Sequence, residues 1–98
     1  MNLGQRTTTG VTSGFMLTQP NNSVQCVVVG TGAVTASIDV EVSNNGVHFF
    51  KHGATQSLSG TTSASSILPL TGFFRFVRIN VTAISGTGAT ASGIVASA

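Results

Sequence analysis

Charge is what this chain has least of: charged residues make up 6% of its 98 positions, against about 25% in an average soluble protein. Two carboxylates, Asp39 and Glu41, are too few to cage a calcium ion. The four cations, Arg6, Lys51, Arg75 and Arg78, are scattered along the chain. A net charge of +2 without a basic patch argues against nucleic acid as a partner, because binding a phosphate backbone needs several adjacent cations to displace its counterions. Trp and Tyr are absent, so the large amphipathic rings that commonly stack on sugars are missing. The single cysteine, Cys26, has no partner for an internal disulfide, and its apolar neighbours make it read as a small buried hydrophobe. Residues 1–20 show no cationic start followed by an apolar stretch, so no signal peptide is expected. No apolar run reaches the roughly 18 residues of a spanning helix, so no membrane partner is expected either, and synthesis in a reducing cytoplasm follows.

What remains is 41% hydrophobic residues in a background of Ser, Thr, Asn and Gly. Little charge means little colloidal repulsion and little defence of sheet edges, which points to a chain whose surface is covered by neighbours in an assembly.

The strongest pattern lies between Ala33 and Lys51. Val34, Ala36, Ile38, Val40 and Val42 alternate with Thr35, Ser37, Asp39, Glu41 and Ser43, the period of two of a half-buried strand. Asn44-Asn45-Gly46 then signals a turn, and Val47 to Lys51 a return strand. An even loop places Val47 and Phe49 on the core face and sends His48 and Phe50 away from it. Before this hairpin, the apolar run Val24 to Val29 reads as a strand buried on both faces or in mid-sheet, separated from the hairpin by a Gly30-Thr31-Gly32 turn. After it, Thr55 to Leu58 and Thr61 to Ile67 are weak strand candidates whose polarity and Pro69 suggest edge strands or a loop.

A second long strand of roughly 36 Å is expected from Phe73 to Ala83. Phe73, Val77, Ile79, Val81 and Ala83 share one face, Phe74, Phe76, Arg78, Asn80 and Thr82 the other, and Arg75 sits at the rim. Ala89 to Ala98 closes the chain as a strand of small residues, and GTGATASGI (86–94) resembles GTGAVTASI (30–38) as repeated turn-plus-strand chemistry. With no helical periodicity and about seven short strands, the fold class is all-β: an antiparallel β-sandwich over residues 15–98, with jelly-roll connections as one arrangement. Residues 1–14 read as an extended N-terminal arm, either a loose terminus or one that orders against a neighbouring subunit.

No catalytic, cofactor or metal site is expected. Asp39 and Glu41 lie two apart, about 6.6 Å along a strand, near the separation of glycosidase carboxylates, but any Asp-x-Glu on a strand does the same and pairing with Lys51, Arg75 or Arg78 is the ordinary alternative. His48 and His52 have the spacing of helical metal ligands, yet the stretch between them is a strand. The Gly-Thr-Gly turns do not complete a nucleotide-binding loop, and Asn21-Asn22-Ser23 and Asn80-Val81-Thr82 match the glycosylation pattern without a secretory signal. More informative are Phe50, Phe74 and Phe76, all assigned opposite the core. Three phenyl rings exposed on so neutral a surface form a patch that must be covered, by the arm or the Ser/Thr-rich segment, or by another subunit.

SIDVEVSNNGVHFFK (37–51) and GFFRFVRINVTAISGTGATASGIVAS (72–97) together resemble the strand-turn-strand and the closing hairpin of small tailed-bacteriophage virion β-sandwich domains. The chain departs from the usual pattern with Phe49-Phe50 where a Trp is common. The resemblance implies a non-enzymatic structural protein of the head decoration or cement type. Such a protein would bind the major capsid protein or another virion protein on the capsid surface and act as a homo-oligomer, a trimer by preference. Phe50, Phe74, Phe76 and, from the arm, Leu3 and Arg6 are the expected contact residues. The same likeness leaves a carbohydrate-binding or host-recognition module of a tail or fibre, or a baseplate component, as alternatives.

Overall fold

The computed structural model describes residues 2–72 and 74–97. The described residues form eight strands: β1 (Asn2–Arg6), β2 (Gly10–Val11), β3 (Phe15–Met16), β4 (Asn22–Ser43), β5 (Phe50–Lys51), β6 (Gln56–Leu70), β7 (Phe76–Ser85) and β8 (Thr90–Ser97). All pairings are antiparallel, and among the described residues there is no helix. The sheet runs β1-β8-β4-β7-β2, with β3 on β7 and with β5 and β6 on the other edge of β4.

The whole molecule is organised by β4, which is 22 residues long and bent in the middle. Its first half, Asn22 to Val29, pairs with β8 on one side and its second half, Thr35 to Ser43, pairs with β7 on that same side. β6 follows the other side through both halves, from Asn22↔Leu70 to Ile38↔Gln56. Gly30-Thr31-Gly32 is therefore a corner within one strand, where the separate strands expected from the sequence are joined. At that corner three residues of β4 oppose one residue of β6, Thr62, between the pairs Val29↔Ser63 and Ala33↔Thr61. The excess is even, so the inward set keeps its parity through the bend: Val24, Cys26 and Val28 before it, Val34, Ala36, Ile38, Val40 and Val42 after it, all buried. Thr62 takes the strain as the one non-glycine with positive φ among the described residues (66°). Next to it, Gly60 leaves room for the Ser63 carbonyl oxygen, which a Cβ there would strike.

Bending folds the sheet onto itself, so that the inner faces of the two halves pack as a sandwich-like, nearly closed structure. One layer is β6-β4-β8-β1, built on the first half of β4; the other is β6-β4-β7 with β2, β3 and β5, built on the second. The layers approach closely: a Cβ at Gly93 on β8 would lie 2.7 Å from Ile79 Cγ2 on β7 and 3.3 Å from Leu3 Cδ1. The core between them is largely β-branched, with Val24, Val28, Ile38, Val40, Val42, Val77, Ile79 and Val81 each fully buried. At the corner, the backbone N–H and Oγ1 of Thr31 both donate to the Thr87 carbonyl, at 3.1 and 3.0 Å, so the two Gly-Thr-Gly segments pin each other. Their likeness in letters does not extend to facing: Ile38 is buried, whereas its counterpart Ile94 is 38% exposed.

Several expectations are corrected. Residues 2–14 do not stand off as an arm: β1 pairs with β8, β2 pairs with β7, and Thr12 exchanges hydrogen bonds with the Ile79 backbone, its N–H reaching the carbonyl at 3.0 Å and its Oγ1 accepting at 3.2 Å. The loop after β4 is odd, since Ser43 to Phe49 lie between the partners Val42 and Phe50. Ser43 is the reason. Its buried Oγ accepts from the N–H groups of Asn45 (3.2 Å) and Gly46 (3.0 Å), and Asn45 Oδ1 accepts from those of Val47 and His48 (2.9 Å each), which holds a wider loop than a two-residue turn. In β7, Ser37↔Ala83 and Ile38↔Val81 leave Thr82 unmatched, a bulge that turns Ala83 outward instead of into the core. Phe73, also expected on the core face, lies outside the described residues.

Candidate functional site

Two outer surfaces result from the bend, and they differ in chemistry. On the layer containing β7, the register places Asp39 beside Asn80, and Glu41 between Arg78 and Lys51. Arg78 Nε donates to Glu41 Oε1 at 2.7 Å and Asn80 Nδ2 to Glu41 Oε2 at 3.2 Å. Thr55 Oγ1 donates to Asp39 Oδ1 at 2.6 Å and accepts from Lys51 Nζ at 2.8 Å, with Lys51 Nζ 3.8 Å from Asp39 Oδ1. Both carboxylates of the chain are thus held in one polar ladder with two of its cations. Phe49 closes the ladder at one end, its ring centroid 4.1 Å from the Arg78 guanidinium carbon. The odd loop put Phe49 there; an even one would have sent it into the core.

The residues expected to form contacts differ in burial and facing. Phe50 shares the parity of Val42 but sits at the sheet edge, where the core has ended, and is 59% exposed. Phe74 does not point away from the core: it packs against it and meets the His52 ring edge-on, with centroids 5.2 Å apart. Phe76 lies on the outer face opposite Ser43, half-buried because the loop at Gly46 folds against its ring. Leu3, expected as a contact residue, is buried in the core. Arg6 is a clip for the elbow between β1 and β2, its guanidinium donating to the carbonyls of Thr8, Thr9 and Val11 at 3.1–3.2 Å. Of the three rings Phe50, Phe74 and Phe76, only Phe50 is largely exposed.

The two histidines are used separately. His48 Nδ1 lies 3.0 Å from Asn45 Nδ2, and His52 Nε2 accepts from the Thr71 N–H at 3.2 Å. Among the described residues no group of three His, Cys, Asp or Glu side chains is placed to hold a metal ion. Cys26 is fully buried, and burial pushes its thiol up from 9.0 to about 11.

The second surface, the outer face of β6-β4-β8-β1, was missed as a surface by sequence reading, because it becomes one only when the bend separates it from the ladder. Its outward positions in β4 are Ser23, Gln25, Val27 and Val29, and the register adds only Ser, Thr, Asn, Gln, Ala, Ile and Pro from the neighbouring strands. No charged side chain falls on these outward positions. Val29, Ile67 and Ile94 stand out of it at 45%, 64% and 38% exposure. At its rim an open depression of about 470 Å³ is lined by Phe15, Thr18 and residues Ile94 to Ser97.

Fold and surface together define an antiparallel all-β domain that keeps its few charges on one layer and leaves the other neutral. The chain belongs to the family described as Domain of unknown function (DUF6385), whose model matches residues 18–98 and so covers β4 to β8. No curated protein and no solved structure matches the chain.

Proposed function

We propose that the chain is a non-enzymatic structural protein of a bacteriophage virion, a decoration subunit that binds the outside of the head and reinforces the shell by bridging its major capsid protein. The neutral face of β6-β4-β8-β1 is the observation that carries this reading. A sheet face of small side chains with three protruding aliphatics loses little on desolvation, since no ion must be stripped of water, and gains from apolar burial. Contacts of this kind are repeated over a symmetric shell, so each needs only modest affinity. Both side-chain carboxylates are tied into the ladder by hydrogen bonds, which accords with a structural role for them. The likeness of residues 37–51 and 72–97 to phage virion domains supplies the choice of shell.

Purified native protein mixed with undecorated heads should co-sediment with them and saturate. Val29→Glu combined with Ile94→Glu, on exposed positions of the neutral face, should abolish that binding while the far-UV spectrum and unfolding midpoint stay native. Saturable binding to a glycan array with none to heads would overturn the reading in favour of host recognition.

A further inference from the structure

The free edge of β6 has a self-complementary register, and we propose that it pairs with the same edge of a second copy of this chain about a two-fold axis through Ser65. Three observations lead there. β6 is 15 residues long and among the described residues pairs as a strand with β4 alone, so its other edge is open. It carries no charged residue, whereas exposed edges are ordinarily blocked by lysines, bulges or short length. The two devices it does have are the bend at Thr62 and Pro69.

Pro69 fixes which backbone groups face outward. It lies opposite Ser23 of β4; having no N–H, it occupies the position of an antiparallel pair whose N–H side points away from the partner. By alternation, the N–H and C=O groups of Ser63, Ser65 and Ile67 also point to the free edge, because the register from Ser63 to Leu70 is unbroken. A second β6 running antiparallel can then place Ser65 against its own copy and Ser63 against Ile67 in both directions. Each of these three pairs exchanges two backbone hydrogen bonds. Beyond them, Pro69 falls opposite Thr61 of the copy, next to the bend, so the same two features stop the ladder at both ends. Ser63, Ser65 and Ile67 are all exposed, and among the described residues no other strand pairs along this edge.

About seven residues of edge bury roughly 300–400 Å² per partner, below the about 800 Å² of a standard interface, so the pair is weak, with a dissociation constant on the order of 0.1–1 mM. It uses the backbone edge of β6, whereas the shell-binding reading rests on the outward side chains of the neutral face, so either can fail without the other.

Cross-linking tests it on the full chain. In this register residue 65 meets its own copy at a Cα separation of about 5.5 Å, within disulfide reach. Residue 63 is displaced from its copy by four residues, about 13 Å, out of reach. With oxidised glutathione as oxidant, Ser65→Cys should form a disulfide dimer at least tenfold faster than Ser63→Cys, and Ser63→Cys with Ile67→Cys should regain the rate. The native thiol does not interfere, because Cys26 is buried. In sedimentation velocity, native protein near 1 mM should show a dimer that Ser65→Pro lacks with its fold unchanged. Equal rates at 63 and 65, or a native protein that is a monomer or a trimer at that concentration, would overturn the proposal, since a three-fold ring pairs unlike edges and never sets residue 65 against itself.

Discussion

Replacing Arg78 by alanine separates a structural role for the polar ladder from mere surface charge. The Arg78 and Glu41 side chains are 26% and 14% exposed and joined at 2.7 Å, so the bond is a partly buried, charge-assisted one worth about 1–2 kcal/mol, above the 0–1 of an exposed pair. The guanidinium also covers the Phe49 ring at 4.1 Å, which adds about 0.5–1 kcal/mol. Arg78→Ala should therefore cost about 1.5–3 kcal/mol, equivalent to roughly 6–24 °C in Tm for a chain of this length. Urea unfolding followed by far-UV circular dichroism should show a lower midpoint at unchanged m. Double-mutant cycles with Glu41→Gln and with Phe49→Ala should each return a coupling near 1 kcal/mol, because the partners touch. A total loss below about 0.5 kcal/mol, or couplings indistinguishable from zero, would show that the ladder is solvated decoration and that Phe49 is held by something else.

Two further outcomes follow from the bend and the core. Deleting Gly32 alone changes the excess at the corner from two residues to one and turns one half of β4 inside out, so the chain should fail to fold; deleting Thr31 and Gly32 together preserves parity and should leave a foldable, weakened protein, as judged by circular dichroism and amide protection. Burial raises the Cys26 thiol to about 11, so between pH 9 and 11 the unfolded chain ionises first and binds fewer protons than the native one. Stability should fall as pH rises through that window, by at most about 2–3 kcal/mol, with no effect below it, and the difference between native and Cys26→Ala urea midpoints should shrink accordingly.

Much of the fold was legible because alternation is a local property. The inward set Val34 to Val42 follows from side chains alternating with a period of two, the mid-sheet position of Val24 to Val29 from its apolar run, and the edge position of the segment before Pro69 from its polarity and the proline. What failed depended on backbone chemistry that alternation does not record. The Ser43 and Asn45 side chains widen one loop by competing for its N–H groups, and that single shift exchanges the roles of Phe49 and Phe50. Gly-Thr-Gly reads as a turn anywhere, yet at 30–32 it bends a continuous strand, while at 86–88 it joins two strands. Leu3, one large apolar residue among Gly, Gln and Thr, gave no periodic signal, although its burial against the Gly93 region is what ties the N-terminal strand to the sheet.

Parity also explains why the molecule has two unlike surfaces. Outward positions before the bend are Ser23, Gln25, Val27 and Val29, and after it Thr35, Ser37, Asp39 and Glu41, all odd-numbered and all on one side of an unbent β4. In a flat sheet the neutral and charged stretches would be continuous on one face, and the aliphatics would lie beside the ion pairs. Bending the strand carries them to opposite sides of the molecule, so that a partner docking on Val29 and Ile94 desolvates no carboxylate, and the Glu41 and Asp39 pairs keep their geometry whatever the neutral face touches. The Gly30–Gly32 corner, which closes the core, is thus also what makes one face of this charge-poor chain cheap to dehydrate.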